Sequence, residues 1–293
     1  MELNSYFRGL LSNIEPSSSA VKKAQKAHQD LRALLEKDDE ISKANPETFL
    51  SGSYARDTAL NTIKDVDVIL LIDLDYTATE PATVIAWVQA SLQKYYATVV
   101  AQGRSVKVTT GTDFDLDVVP AVPISHRDGP VRIPDRDAQS WVASHPKGQI
   151  AFGVQKNQAT DGYYKPLVKI MKHWRDRLPT ELARPNSYIV ESLVAESLIS
   201  TPASYGRAVV TILRSIHSRY ASYLVSGTVP RISDPGYPSV NVAKRWKFQE
   251  FSAFMKEVQS AGETAERALK EEDQERSLAL WKKLFGEKFR SME

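Results

Sequence analysis

GSYARDTALNTIKDVD, residues 52–67, is the stretch whose reading decides the fold, because it runs a glycine-serine turn into two carboxylates spaced two residues apart. In an extended strand successive side chains alternate between faces, so Asp65 and Asp67 project to one side while Val66 and Val68 face the other. Two acids in one small space each raise the energy of the other's ionised form, and a cation relieves that repulsion. Magnesium suits the position, since it takes oxygens from one or two carboxylates and completes its shell with substrate phosphates. Read alone, the pair fits a strand end with solvated acids just as well. Gly52 and Ser53 alter that balance. They follow the short apolar run Thr48, Phe49 and Leu50 and precede a segment able to begin a helix. Glycine lets the backbone approach a ligand closely, and amides at a helix start, with the Ser53 hydroxyl, suit phosphate oxygens. A lone Gly-Ser is an ordinary turn; ahead of Asp65 and Asp67 it points to nucleotidyl transfer.

A third acid is required if two metal ions are to bridge an attacking hydroxyl and an α-phosphate. TDFDLDVVPAV, residues 112–122, offers Asp113, Asp115 and Asp117 at period two, with Phe114, Leu116 and Val118 turned to the core. The rival reading is a polar strand face.

With G-S-x-x-R-x-T at Gly52, Ser53, Arg56 and Thr58, D-V-D at residues 65–67 and D-V-V-P-A at residues 117–121, the chain resembles a known nucleotidyltransferase superfamily. That superfamily includes cyclic GMP-AMP synthase, oligoadenylate synthetase and the poly(A) and CCA-adding polymerases, and the resemblance is strongest to the bacterial CD-NTases. It implies that Asp65, Asp67 and Asp117 hold two magnesium or manganese ions, with Asp115 beside them rather than among the ligands. Gly52 and Ser53 would grip the triphosphate. In YYKPLVKIMKHWRDRL, residues 163–178, apolar residues fall at helical spacing, and Lys172 matches the family's triphosphate-contacting lysine. In RPNSYIVESLVAESL, residues 184–198, Ser187 would touch phosphate and Tyr188 would stack on a base. Ser187 equally reads as an N-cap, with Glu191 in the following turn.

ISDPGYPSVNVAKRW (residues 232–246) and WKKLFGEKF (residues 281–289) favour the CD-NTases over the polymerases. Their plain physical reading is a turn at Asp234-Pro235-Gly236, a helix start at Asn241 and a terminal helix with Trp281, Leu284 and Phe285 as its apolar stripe. The resemblance implies attack of a ribose hydroxyl on the α-phosphate of a nucleoside triphosphate, ATP being the expected one, with release of pyrophosphate. A second, intramolecular transfer then closes a cyclic di- or trinucleotide. In that family the product serves antiphage (CBASS) signalling through a separate effector protein, and some members work with regulatory companion proteins. Two rivals stand beside this reading. A linear oligoadenylate synthase or RNA 3′-end nucleotidyltransferase shares the chemistry without ring closure. A catalytically silent nucleotide-binding module does not, and the presence of three acids together with Ser53 and Lys172 argues against it.

At 293 residues, 42% hydrophobic and 25% charged, the chain can bury a large core. No apolar run approaches the roughly 18 residues of a membrane span, and MELNSYFRGLL lacks the pattern of a signal peptide. With no cysteine, disulfides and thiolate sites are excluded, and the expected location is the cytoplasm. A net charge of +2 is too small for stable binding of duplex nucleic acid. Lys165, Lys169, Lys172, Arg175 and Arg177 spread round a helix, so only one or two should meet phosphate. The five histidines show no metal-ligand spacing, and there is no GxSxG elbow.

The expected fold is α+β: a polymerase-beta-like nucleotidyltransferase lobe with a mixed sheet, and a helical C-terminal lobe. The lobes are placed at residues 1–148, braced by a helix over 18–37 with Val21, Ala24, Leu31 and Leu34 inward, and at 149–293, an OAS-like lobe completing the nucleotide cleft. Strands are expected at 48–50, 66–72, 104–110 and 114–122, and a helix at 82–95. Residues 123–146 read as a loop beside the cleft, with Arg132 or Arg136 open to nucleotide or solvent. Helices follow at 163–178, 187–200, 205–225, 242–260 and 274–285, and the acid-rich run 262–276 reads as an exposed helix.

Overall fold

The computed structural model describes residues 1–61, 63, 65–111, 114–178 and 184–291. Two compact units form, one of Pro16–Ala151 and one of Met1–Glu15 with Phe152–Glu293. The N-terminal stretch therefore parts from the expected division, which put residues 1–148 together. It folds as α1 (Asn4–Ile14), whose Phe7, Leu10 and Ile14 are fully buried. The Phe7 ring stands edge-on to Trp281, Phe285 and Phe289, so the first helix packs on the end of the chain. Phe7, Leu10, Leu11 and Ile14 carry the helical period; comparison with leader peptides alone passes over it.

In the unit Pro16–Ala151, α2 (Ser18–Lys37) starts where the Ser17 hydroxyl accepts from the Ala20 amide at 3.1 Å. Its buried stripe is Ala24, His28, Leu31 and Leu35, rotated from the expected one: Val21 is 37% exposed. After it come β1 (Glu47–Leu50), α3 (Gly52–Ala55), β2 (Asp65–Leu71), α4 (Pro81–Leu92), β3 (Val99–Ala101), β4 (Val106–Thr109) and β5 (Asp115–Pro123). The next two strands, β6 (Val131–Asp135) and β7 (Ser140–Ser144), make a hairpin where a loop is expected. Pro134 and the surrounding charges hide the strand pattern of VRIPD. Pairing is secured from elsewhere: β6 bonds the end of β5, and the buried Asp135 carboxylate takes Arg104 Nε at 2.8 Å.

The sheet runs β1-β2-β5-β4-β3, with β6 on β5 and β7 on β6. β2 and β5 are parallel and the other pairs antiparallel, so it is mixed. One face buries Val66, Val68, Leu70, Leu116 and Val118 against Leu31 and Leu35 of α2 and Val84, Ile85, Val88 and Leu92 of α4. The other face buries Ile69, Leu71, Ala121 and Val131 at one end. By the two-residue period that same face carries Asp65, Asp67, Asp115 and Asp117 at its other end.

The other unit is mainly helical. Beyond α5 (Pro146–Ala159), whose second half it includes, come α6 (Tyr164–Asp176), α7 (Ser187–Ser197), α8 (Tyr205–Tyr220) and α9 (Ser222–Ser226). A hairpin of β8 (Ser233–Asp234) and β9 (Tyr237–Asn241) precedes α10 (Phe248–Lys270) and α11 (Gln274–Phe285). Asn241 does not start the next helix; its side chain accepts from the amides of Ile232 and Ala243 and closes the hairpin. α10 starts at Phe248 instead, where Glu250 reaches back to the Lys247 amide at 3.0 Å. The acid-rich run is split, because Asp273 caps α11 through the Arg276 amide, and it is not wholly exposed, since Ala265 and Ala268 are buried. Among the described residues no helix is long and apolar enough to cross a membrane.

Candidate active site

The site grows from one pairing. β2 and β5 lie parallel and in register, with Asp65 opposite Asp115 and Asp67 opposite Asp117. Four carboxylates therefore crowd one end of one sheet face. Asp113 lies outside the described residues.

Gly52 fits over this cluster because it has no side chain. A Cβ there would stand 1.7 Å from Asp67 Oδ2, and the Gly52 φ of +68° is one that other residues rarely adopt. The Ser51 amide donates to the Asp67 carbonyl at 2.9 Å, stitching the turn to β2. Ser53 follows at the start of the one-turn α3, and its carbonyl accepts from the Thr58 amide at 2.9 Å. The G-S-x-x-R-x-T segment thus closes on itself, and Arg56 lies near enough to Asp67 to favour its charged form.

Burial above all, then the charges of Asp65 and Asp117, pushes the Asp67 pKa up to about 6. Burial, then Asp65, pushes Asp117 up to about 6 as well, against a lowering from Lys107. Asp117 is 8% exposed, and its Oδ1 is buried with no hydrogen-bond partner. A buried carboxylate oxygen left unbonded beside further acids suits a hard divalent cation. Among the described residues no three His, Asp or Glu side chains stand as a ready-made metal cage. Uncompensated carboxylates repel, and a magnesium-type site takes part of its shell from substrate phosphates.

Lys107 is the member of this cluster that sequence reasoning missed. It lies on β4 with its Cα paired to Asp117, and its Nζ donates to Asp115 Oδ2 at 3.1 Å. The alternation in RSVKVTT hints at its face, but no local signal shows which strand it will meet.

The remaining expected residues belong to the helical unit. Lys172 is buried and donates from Nζ to Glu191 Oε1 at 3.1 Å. Ser187 is the first residue of α7, not its cap. The extended residue ahead of it, Asn186, takes that role and accepts from the Ile189 amide at 3.0 Å. The Ser187 hydroxyl instead accepts from Arg175 Nη2 at 3.2 Å, while Arg175 Nη1 donates to the Pro185 carbonyl. Tyr188 donates its hydroxyl to Asp234 Oδ1 at 2.6 Å, which also accepts from the amides of Gly236 and Tyr237. The Asp-Pro-Gly turn therefore orients that ring. In the β6–β7 hairpin Arg132 lies over the Tyr76 ring, and Arg136 pairs with Asp137.

Residues 1–157, more than half of the chain, match the Second Messenger Oligonucleotide or Dinucleotide Synthetase (SMODS) domain family. The chain belongs to this family of CD-NTases. A cyclic AMP-AMP-AMP synthase of an Acinetobacter species is 34% identical to it over 298 aligned positions, covering 99% of this chain and 86% of that protein. A cyclic AMP-AMP-GMP synthase of Enterobacter hormaechei is 26% identical, covering 99% and 92%. The structure of CdnC from E. coli MS115-1 with ATP superposes at a TM-score of 0.81 over 99% of both chains. At 19% identity that likeness speaks for the polymerase-beta-like fold alone. The same CdnC is known in complex with a HORMA protein, at a TM-score of 0.78. This CD-NTase is thus a nucleotidyltransferase of the cyclic oligonucleotide synthase class, and enzymes of the family generally use divalent metal ions.

Proposed function

We propose that this CD-NTase joins nucleoside triphosphates, ATP among them, into a cyclic trinucleotide and that Asp65, Asp67 and Asp117 are its catalytic carboxylates. The observation that carries the assignment is the in-register pairing of Asp67 with Asp117, whose buried Oδ1 has no partner. The three carboxylates would hold two magnesium or manganese ions, which when bound acidify the attacking ribose hydroxyl and neutralise the departing pyrophosphate. Asp117, across the strand pair from Asp67, is also placed to help take the proton of that hydroxyl. Gly52 brings backbone and the Ser53 hydroxyl to the triphosphate. From the helical unit, Lys172 and Ser187 contact phosphate, Lys172 sharing its ammonium with Glu191. Tyr188, aimed by Asp234, stacks on a base for about 1–3 kcal/mol.

Adenylate as the main building block is supported by the two relatives, which make AMP-AMP-AMP and AMP-AMP-GMP rings. The product serves as an antiphage signal to a separate effector, and the enzyme works with a regulatory companion protein. A complex with a HORMA protein is what the structure of CdnC from E. coli MS115-1 records for that protein.

The test incubates the protein with all four radiolabelled triphosphates and magnesium or manganese, omits them singly, and treats the products with phosphatase. A phosphatase-resistant product that needs ATP and is absent from an Asp65→Ala, Asp67→Ala double variant is expected. Products trimmed by phosphatase would instead indicate a linear synthase, and extension of added RNA an RNA 3′-end enzyme.

A further inference from the structure

Lys107 stands opposite one carboxylate and bonds another. In the β4–β5 pair its Cα faces Asp117, while Thr109 faces Asp115. Directly opposed side chains on one face are about 5 Å apart at Cβ, and diagonal ones up to about 7–8 Å. Yet the ammonium reaches along the diagonal to Asp115 Oδ2 at 3.1 Å, while the buried Oδ1 of the directly paired Asp117 has no partner. The side chains of Lys107 and Asp115 are 31% and 30% exposed, whereas Asp117 is 8% exposed. An ion pair at the wetter position keeps more hydration than one drawn in to Asp117.

We propose that Asp115 is a positioning residue that holds the Lys107 ammonium away from Asp117 and so keeps that carboxylate open to a divalent cation. Lys107 reciprocates by neutralising Asp115, so that the fourth acid of the face stays out of the ligand set. The inference rests on the assignment of Asp117 to the metal site made above. Its physical content is competition. An ammonium tethered one strand away is a permanent rival for the same oxygen, and its bond to Asp115 restrains it. Remove the Asp115 charge, and the carboxylate directly across the strand pair is Asp117.

The experiment measures Mn²⁺ binding by titration calorimetry, together with the Mn²⁺ concentration that half-saturates turnover at saturating ATP. Asp115→Asn is expected to weaken Mn²⁺ binding on the order of tenfold, and Lys107→Met to tighten it, the size expected for groups in contact. The decisive variant combines the two. Without the lysine to migrate, Asp115→Asn should weaken Mn²⁺ binding by less than about threefold in the Lys107→Met background, and an equal loss in both backgrounds would mean that the two charges act additively and would overturn the positioning role. Lys107→Arg, which keeps the pair, should match the wild type. If Asp115→Asn leaves Mn²⁺ affinity unchanged, or if both single changes weaken it and the double change is weaker still, the positioning role is wrong. Asp67→Asn separates this failure from that of the metal assignment, for full Mn²⁺ affinity in that variant overturns both.

Discussion

Burial and the neighbouring charges of Asp65 and Asp117 keep Asp67 protonated up to about pH 6 in ion-free protein, from an ordinary value of 3.8. Between those values the folded state binds more protons than the unfolded state, so stability falls as pH rises from about 4 to about 6. Asp117 contributes with the same sign. Thermal melts in metal-free buffer across that interval should show the wild type losing stability and Asp67→Asn losing less. At neutral pH the variant should melt above the wild type and make no product; a wild-type melting temperature that climbs with pH over this range would contradict the account. Gly52→Ala would place a methyl group 1.7 Å from Asp67 Oδ2 and should lower turnover on the order of a hundredfold, the effect of misplacing a reacting group by about 1 Å. Gly162→Ala is the control. That glycine also has positive φ but open space around it, so its cost should be about 1 kcal/mol of stability and no activity. The acidic face was legible because strand alternation is local, but alternation left Asp113, Asp115 and Asp117 open and only the family resemblance singled out Asp117. Lys107 was not legible, since its role depends on which strand β4 meets.

At the scale of elements, α6 and α7 are joined by the buried Lys172–Glu191 pair. Lys172→Met strips a buried carboxylate of this cation and should cost about 3–5 kcal/mol in denaturant unfolding. Changing Glu191→Leu as well should recover most of that stability without recovering product, which separates a phosphate-contacting lysine from one that merely supports the fold. Asn186→Ala should cost about 1 kcal/mol through loss of the α7 cap, whereas Ser187→Ala spares it. In PNSY both residues are good caps. Only the extended backbone at Asn186, φ −60° and ψ 159°, settles which one serves. The β6–β7 hairpin was hidden for a related reason, because its strands are stabilised by β5 and Arg104 rather than by their own pattern.

Over the whole molecule, the helical unit is closed by its two chain ends, with Phe7 of α1 fully buried among Trp281, Phe285 and Phe289. Phe7→Ala should cost about 3–5 kcal/mol, as large aromatic truncations in cores do. Hydrogen exchange should show the loss in α1, α8, α10 and α11, with the sheet of Pro16–Ala151 keeping its protection. Uniform loss across both units would show instead that they unfold as one.

What the sequence by itself determined was whatever repeats within a few residues. The alternation of Asp65, Val66, Asp67 and Val68 set the acidic face, the glycine-serine turn set the approach to it, and helical spacing set α2, α6, α7 and α11 to within a few residues. Tertiary structure alone decided the pairings between distant segments. These are Asp67 beside Asp117, Lys107 across from Asp117 yet bonded to Asp115, Tyr188 on Asp234, and α1 against α11. Such pairings depend on strand register and on packing in three dimensions. Local propensity carries no information about either, because the same residues would show the same periods whichever partners the fold brought to them.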